Sequence, residues 1–254
     1  MNGKAVNPEN QQVSIRSLKS ALSEERLHAY AIAGDADELD AVARYIWNLA
    51  LCCAMQPALH VLEVTLRNHL FQASLKIVDE SKLTFQNVNC WLDARPTLLE
   101  VAEAESVEDA KMLLGRAKKP LTPGRLISKL AFGFWVSLCK RPYEQGRGGG
   151  PALWPALAKT GFHFLAAKDR TRAHVFHRLE GIRDLRNRVS HHEPIWDRDL
   201  VKAHNEVLDA LSWMNLGLAT ALRAASPLDE IVRQGASAFR PMAERLVKVE
   251  DAAA

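Results

Sequence analysis

Residues 185–196 read LRNRVSHHEPIW, a stretch holding two arginines, an asparagine and two adjacent histidines just before a proline. Arginine presents a planar, permanently charged fork that matches phosphate oxygens. Histidine takes or gives a proton near neutral pH. Together at one helix end they are the parts needed to cut RNA without a metal. A neutral His191 would take the proton of a ribose 2′-hydroxyl, which attacks the adjacent phosphorus. Arg186 would stabilise the charge added in the transition state. The products would be a 2′,3′-cyclic phosphate and a 5′-hydroxyl, and DNA would be inert for want of the 2′-hydroxyl.

Spacing refines the roles. At about 100° per residue, Asn187 and His191 share one helix face, while Arg186 sits about 140° from His191. A long arginine side chain closes that gap by curling back. Loosening of the helix also closes it, since Pro194 disfavours the helical conformation at Glu193. Arg186 and His191 are therefore placed at the reacting phosphate, with Asn187 orienting one of them. His192 binds RNA, buttresses His191 or caps the helix. The competing reading is structural: cations at a helix C-terminus favour the dipole by about 0.3–1 kcal/mol, and proline is a routine stop. Arg172 and His177 repeat the Arg-x4-His spacing, so the Asn directly after Arg186 carries the specificity.

Charge points the same way. The net charge of +3 is too small to indicate nucleic-acid binding by itself. Residues 168–192, however, hold seven Lys/Arg against three Asp/Glu. Arg172, His177, Arg183 and Arg188 are accordingly candidate RNA contacts. The plain alternative is a solvated helix face.

A second constellation is Glu63, Arg67 and Asn68. Glu63 and Arg67 stand four residues apart, the spacing of a helix ion pair. Burial beside apolar neighbours would instead make them a polar anchor or a wall of the active site.

Three further segments read ARYIWNLA (43–50), LHVLEVTLRNHL (59–70) and GRLISKLAFGFWVSL (124–138). Taken in order with LRNRVSHHEPIW, they resemble the bacterial Abi-like (abortive infection) family of the HEPN superfamily, over residues 20 to 220 approximately. Arg186-x4-His191 fits the R-x4-6-H signature of HEPN ribonucleases. The resemblance implies an all-α, HEPN-type helical bundle with additional helices. It implies a metal-independent endoribonuclease used in phage defence or as a toxin, or else a non-catalytic module that binds RNA or a partner protein. HEPN ribonucleases pair two motifs across a dimer, so a homodimer with a composite active site is implied, together with a possible antitoxin or defence-system partner. It also implies that the Glu63, Arg67, Asn68 pattern recurs.

The elements that must position these residues read as helices, because strand-like alternation is scarce. Residues 1–20 are expected as a mobile tail, 21–224 as the helical domain and 225–254 as a helical extension with a frayed end. One helix is expected to begin near Ser23. Another should fill 37–55, and a separate one should open at Pro57 and run to Val78, with Leu59, Leu62, Leu66 and Leu70 in one stripe. A loop is expected at 81–96, and two helical pieces within 95–118. A single apolar helix is expected at 126–139, crossing the middle of the bundle. The glycine-rich stretch 141–155 reads as a loop, and a long helical pair at 169–191 and 197–224 flanks the motif. Phe132, Phe134, Trp135, Trp47, Trp91, Cys52 and Cys53 read as packing residues, with Gly133 permitting close helix approach.

Other chemistries lack their signatures. There is no HExxH, no phosphate-binding G-K-[ST] loop, and no nucleophile motif at Ser or Cys. No metal or cofactor is expected. The four cysteines show no zinc-type pairing. No unbroken apolar run reaches the roughly 18 residues of a membrane span, and the first dozen residues lack a signal-peptide core. A cytoplasmic protein with no membrane partner is the expectation.

Overall fold

The computed structural model describes residues 13–78, 91–94, 98–145 and 152–248. The protein is all-α. In chain order the elements are β1 (Val13–Ser14), α1 (Ile15–Leu22), α2 (Glu24–His28), α3 (Glu38–Val78), α4 (Trp91–Ala94), α5 (Val101–Arg116), α6 (Pro123–Lys129) and α7 (Phe132–Ser137). They continue as α8 (Ala156–Gly161), α9 (Arg172–Ser190), α10 (Leu200–Ser212), α11 (Leu216–Ala225), α12 (Leu228–Gln234), α13 (Arg240–Leu246) and β2 (Val247–Lys248). Among the described residues the only strands are the two-residue pieces β1 and β2, paired in parallel with Val13 opposite Val247.

Two compact units emerge. The first comprises residues 13–56, 188–201 and 226–248; the second comprises the described residues of 57–187 and 202–225. In the first unit Leu39, Val42, Ala43, Ala243 and Val247 form a buried cluster, with Ile15, Leu18, Ile46 and Phe239 packed against it. Arg240 reinforces it with hydrogen bonds to Asp37 (2.7 and 3.1 Å) and a contact to Asp40. Residues 226–248 thus belong with the N-terminal segment and do not stand apart as an extension. Likewise α1 occupies 15–22, where a tail was expected, because Ile15 and Leu18 cover that cluster. Ser23 begins a helix as anticipated: its hydroxyl accepts from the Arg26 N–H and caps α2. Residues 1–12 lie outside the described residues.

The second unit is built on the stripe of Leu59, Leu62, Leu66 and Leu70, all buried. Full burial of such a side chain contributes about 1.5–3 kcal/mol. Val175, Leu179, Ile182 and Leu185 recur at three- and four-residue steps on α9 and are buried too. This buried stripe is why so charged a sequence forms a helix. Trp91 donates to Ser74 Oγ (2.9 Å), Trp154 donates to the Leu138 carbonyl (3.0 Å), and Tyr143 donates to Glu103 (3.1 Å). At Gly161 an added Cβ would lie 3.3 Å from Leu70 Cδ2, so α8 approaches the leucine stripe closely there.

Several boundaries differ from the sequence reading. No break occurs at Pro57: α3 runs through it. Proline in a helix interior costs about 3 kcal/mol. That cost is offset by burial on both sides, of Leu51 and Met55 before it and Leu59 and Leu62 after. The apolar segment expected as one helix is two, α6 and α7, separated by extended backbone at Leu130 and Ala131. A helix apolar all round needs cover on every side. The break re-aims the chain so that Leu126, Ile127, Phe132, Trp135 and Val136 are all buried. Val101–Arg116 is one helix, not two pieces, and the segment after the motif divides into α10 and α11. Gly133 is not required by close approach, since a Cβ there would meet Arg183 Cδ at an ordinary 3.7 Å. Cys53 is exposed instead of packed. The loop expected at 81–96 lies mostly outside the described residues, as do 146–151 of the glycine-rich stretch.

Although no unbroken apolar run spans a bilayer, α3 as a whole is long and apolar enough by composition. Its most apolar window has mean hydropathy 1.5, with 44% of that window buried inside the protein.

Candidate active site

Arg186 lies in the last turns of α9, half-buried, in the second unit. Its Nε and Nη2 both reach Glu63 Oε2, each at 3.2 Å. Glu63 comes from the stretch of α3 beside the leucine stripe, so the pair joins residues 123 apart in sequence. Glu63 therefore turns to Arg186 and not to Arg67, so the i,i+4 ion pair, one of the two readings of that constellation, does not form. Arg67 donates to Asn68 Oδ1 instead (3.3 Å). Asn187 is half-buried and makes no side-chain hydrogen bond among the described residues. What holds Arg186 is Glu63, not Asn187.

In the first unit α9 ends in a capped turn. The Glu193 N–H donates to the Arg188 carbonyl (2.9 Å) and the His192 N–H to the Val189 carbonyl (3.4 Å). This is the paired 6→1 and 5→2 closure of a Schellman cap. Its left-handed position falls on His192, with φ of 59°, where glycine is the usual occupant. Histidine tolerates that region better than most side chains but not freely. His191 and His192 are both exposed, and Arg188 faces Glu193 across the turn at 3.5 Å. The structure thus gives His192 the helix-capping role through its backbone.

Three contacts within this unit hold the turn and were not anticipated. Arg26 Nη1 donates to the His192 carbonyl at 2.8 Å. Asn48 Oδ1 accepts from the N–H of Ile195 (2.8 Å) and of Trp196 (3.2 Å). Arg44 lies over the Trp196 ring, 5.3 Å from its centroid. Asn48 is buried and its Nδ2 donates to the Tyr30 hydroxyl (3.2 Å), with a weaker contact to Cys52 Sγ. Burial pushes the Tyr30 hydroxyl up to about 12 and the Cys52 thiol up to about 11, so both stay protonated at neutral pH. The signal was present in the sequence: an asparagine inside the apolar run of ARYIWNLA is an interruption that needs partners.

The arginines expected to meet RNA are paired with acids. Arg172 meets Glu144 (2.8 Å) and donates to the Cys139 carbonyl (3.3 Å), with only 16% of its side chain exposed. It is a structural tie and not an open contact. Arg178 faces Glu206 (3.5 Å) and Arg183 binds Glu180 (2.6 Å). Every arginine of α9 thus has a carboxylate partner, four of them supplied from outside the helix. The excess positive charge counted along residues 168–192 is largely neutralised in space. His177 is exposed, beside Phe176. Among the described residues no cluster of three or more potential metal-binding side chains occurs.

No family model matches the chain, and neither does any of the curated proteins or solved structures compared with it.

Proposed function

We propose that the chain is a metal-independent endoribonuclease of HEPN type, acting in phage defence or as a toxin. Arg186 is the observation that carries this reading. Glu63 orients its guanidinium through one edge, and Nη1 makes no hydrogen bond among the described residues. An arginine so held presents a fixed charge to a phosphate without being consumed by the protein. Five residues on, in the turn that ends α9, His191 is exposed and supplies the base that takes the 2′-hydroxyl proton. One imidazole cannot serve both sides of the phosphorus, so the reading includes a homodimer whose two motifs share a cleft. RNA is the substrate, the compartment is the cytoplasm, and an antitoxin or defence-system partner restrains the activity.

The test compares wild type with His191→Ala on a labelled structured RNA in excess EDTA. Cleavage by wild type alone, leaving 2′,3′-cyclic phosphate ends, is the expected result. Equal cleavage by both, or by neither, overturns the assignment.

The carboxylate pairing along α9 favours a second reading, a non-catalytic module that binds RNA or a partner protein. A neutralised face steers RNA weakly. That reading predicts no cleavage by wild type, and a loss of binding alone in His191→Ala.

A further inference from the structure

The turn carrying His191 and His192 is gripped from both sides of Pro194. On the near side Arg26 holds the His192 carbonyl. On the far side one side-chain oxygen, Asn48 Oδ1, takes the N–H groups of both Ile195 and Trp196. Asn48 is only 2% exposed, and Tyr30, itself 1% exposed, fixes the amide by accepting from Nδ2. A buried amide that satisfies two successive backbone donors sets the path of the chain there, because leaving those buried donors unpaired is costly. It also leaves the strained position, His192 at φ 59°, with no easy route to relax.

We propose that Asn48, assisted by Arg26, is a positioning residue for His191 and His192: it holds the Ser190–Trp196 turn in the one conformation that presents them. The catalytic part of this inference rests on the ribonuclease reading; the positioning part does not. Asn48 touches neither substrate nor reacting atoms. It acts through backbone 147 residues away in sequence.

The experiment uses the full-length chain as Asn48→Leu, which keeps the size and removes the acceptor, and Asn48→Asp, which keeps it. Amide exchange at Ile195 and Trp196 and the imidazole NMR signals of His191 and His192 are read without RNA. Cleavage is then measured in EDTA. In Asn48→Leu, exchange at the two amides is expected to speed about tenfold or more while the amides of Leu62 and Leu66 are unchanged. The two imidazole signals shift or broaden, and kcat falls about ten- to hundredfold with KM moving less than about threefold. Asn48→Asp restores all three toward wild type. Arg26→Met, at an exposed contact, shows the same pattern more weakly and carries the test where Asn48→Leu fails to fold.

Wild-type exchange at Ile195 and Trp196 in the variants overturns the proposal. So does faster exchange with unaltered imidazole signals, which would make Asn48 a stabilising residue only. Where wild type cleaves no RNA the ribonuclease reading falls alone, and the exchange and imidazole results still decide whether Asn48 positions the turn.

Discussion

Two arginine–carboxylate pairs, one in each unit, show how the same chemistry serves opposite ends. Arg44 meets Asp35 with both nitrogens on both oxygens, at 2.8 and 3.2 Å, and also contacts the Tyr30 carbonyl. Its side chain is 9% exposed and its partner's 16%. Arg186 meets Glu63 through one oxygen, and the two are 32% and 25% exposed. The first guanidinium is held by protein at both terminal nitrogens. The second is braced along one edge and open along another. A nearly buried arginine held at both terminal nitrogens stabilises a fold; a half-exposed one braced along one edge is available to a ligand.

The comparison breaks most visibly at Arg44. Arg44→Met leaves the Asp35 carboxylate without its cation in a nearly dry site, and urea unfolding should show a loss of about 3–5 kcal/mol. Arg186→Met should cost under about 1 kcal/mol, because a half-exposed pair is screened by water. A similar loss for both would erase the distinction. Acid titration sharpens it. The Arg44 hydrogen bonds hold the Asp35 carboxyl below the usual range, opposed in part by burial and helped by the Ile32 N–H. A carboxyl depressed in the folded state contributes stability that is complete above its unfolded value. That stability disappears as pH falls through the folded one. Wild type should therefore lose stability below roughly pH 4, and Arg44→Met should flatten that limb.

Activity should reverse the ranking. Under the proposed function Arg186→Met lowers kcat about 10²–10³-fold, the effect of deleting a charge aimed at the transition state. Glu63→Gln keeps the hydrogen-bonding shape but weakens the brace, and kcat should fall about tenfold. Because a negative charge leaves the site, RNA binding at low salt should tighten slightly. Initial rates and a salt titration of affinity check both. Tighter binding with undiminished kcat would show that Glu63 restrains Arg186 and does not orient it.

How much of this could be read beforehand follows the range of the interactions. The helices, and the stripe Leu59, Leu62, Leu66 and Leu70, were legible because periodicity is local. The continuity of α3 through Pro57 was less so, since burial of Met55 and Leu59 overrides the break that a proline suggests, and that burial is tertiary. The site divides in the same way. Arg186, His191 and His192 were visible as residue types in one short stretch, but the pairing of Arg186 with Glu63 was not. Glu63 has a local candidate in Arg67 and a distant one 123 residues away, and only folding decides between them. Counting charge along 168–192 failed for a related reason, because Glu63, Glu144 and Glu206 are supplied from outside that window.

The smallest expected effect separates the roles of the two histidines. His192 occupies the left-handed cap position, which costs a residue with a Cβ about 1–2 kcal/mol relative to ordinary backbone. His192→Gly removes that cost but gives the unfolded chain more freedom, which offsets part of the gain. The net should be a stabilisation of under about 1 kcal/mol, seen as a higher urea midpoint with an unchanged slope. His191 is exposed with no such backbone demand, so His191→Gly should be neutral or slightly destabilising. Under the ribonuclease reading the functional effects run the other way. His191→Gly abolishes cleavage, while His192→Gly leaves most of it if the contribution of His192 is the shape of its backbone. Loss of cleavage in a stabilised His192→Gly protein would assign the second imidazole to the chemistry as well, because a glycine at that position preserves the cap and removes only the ring.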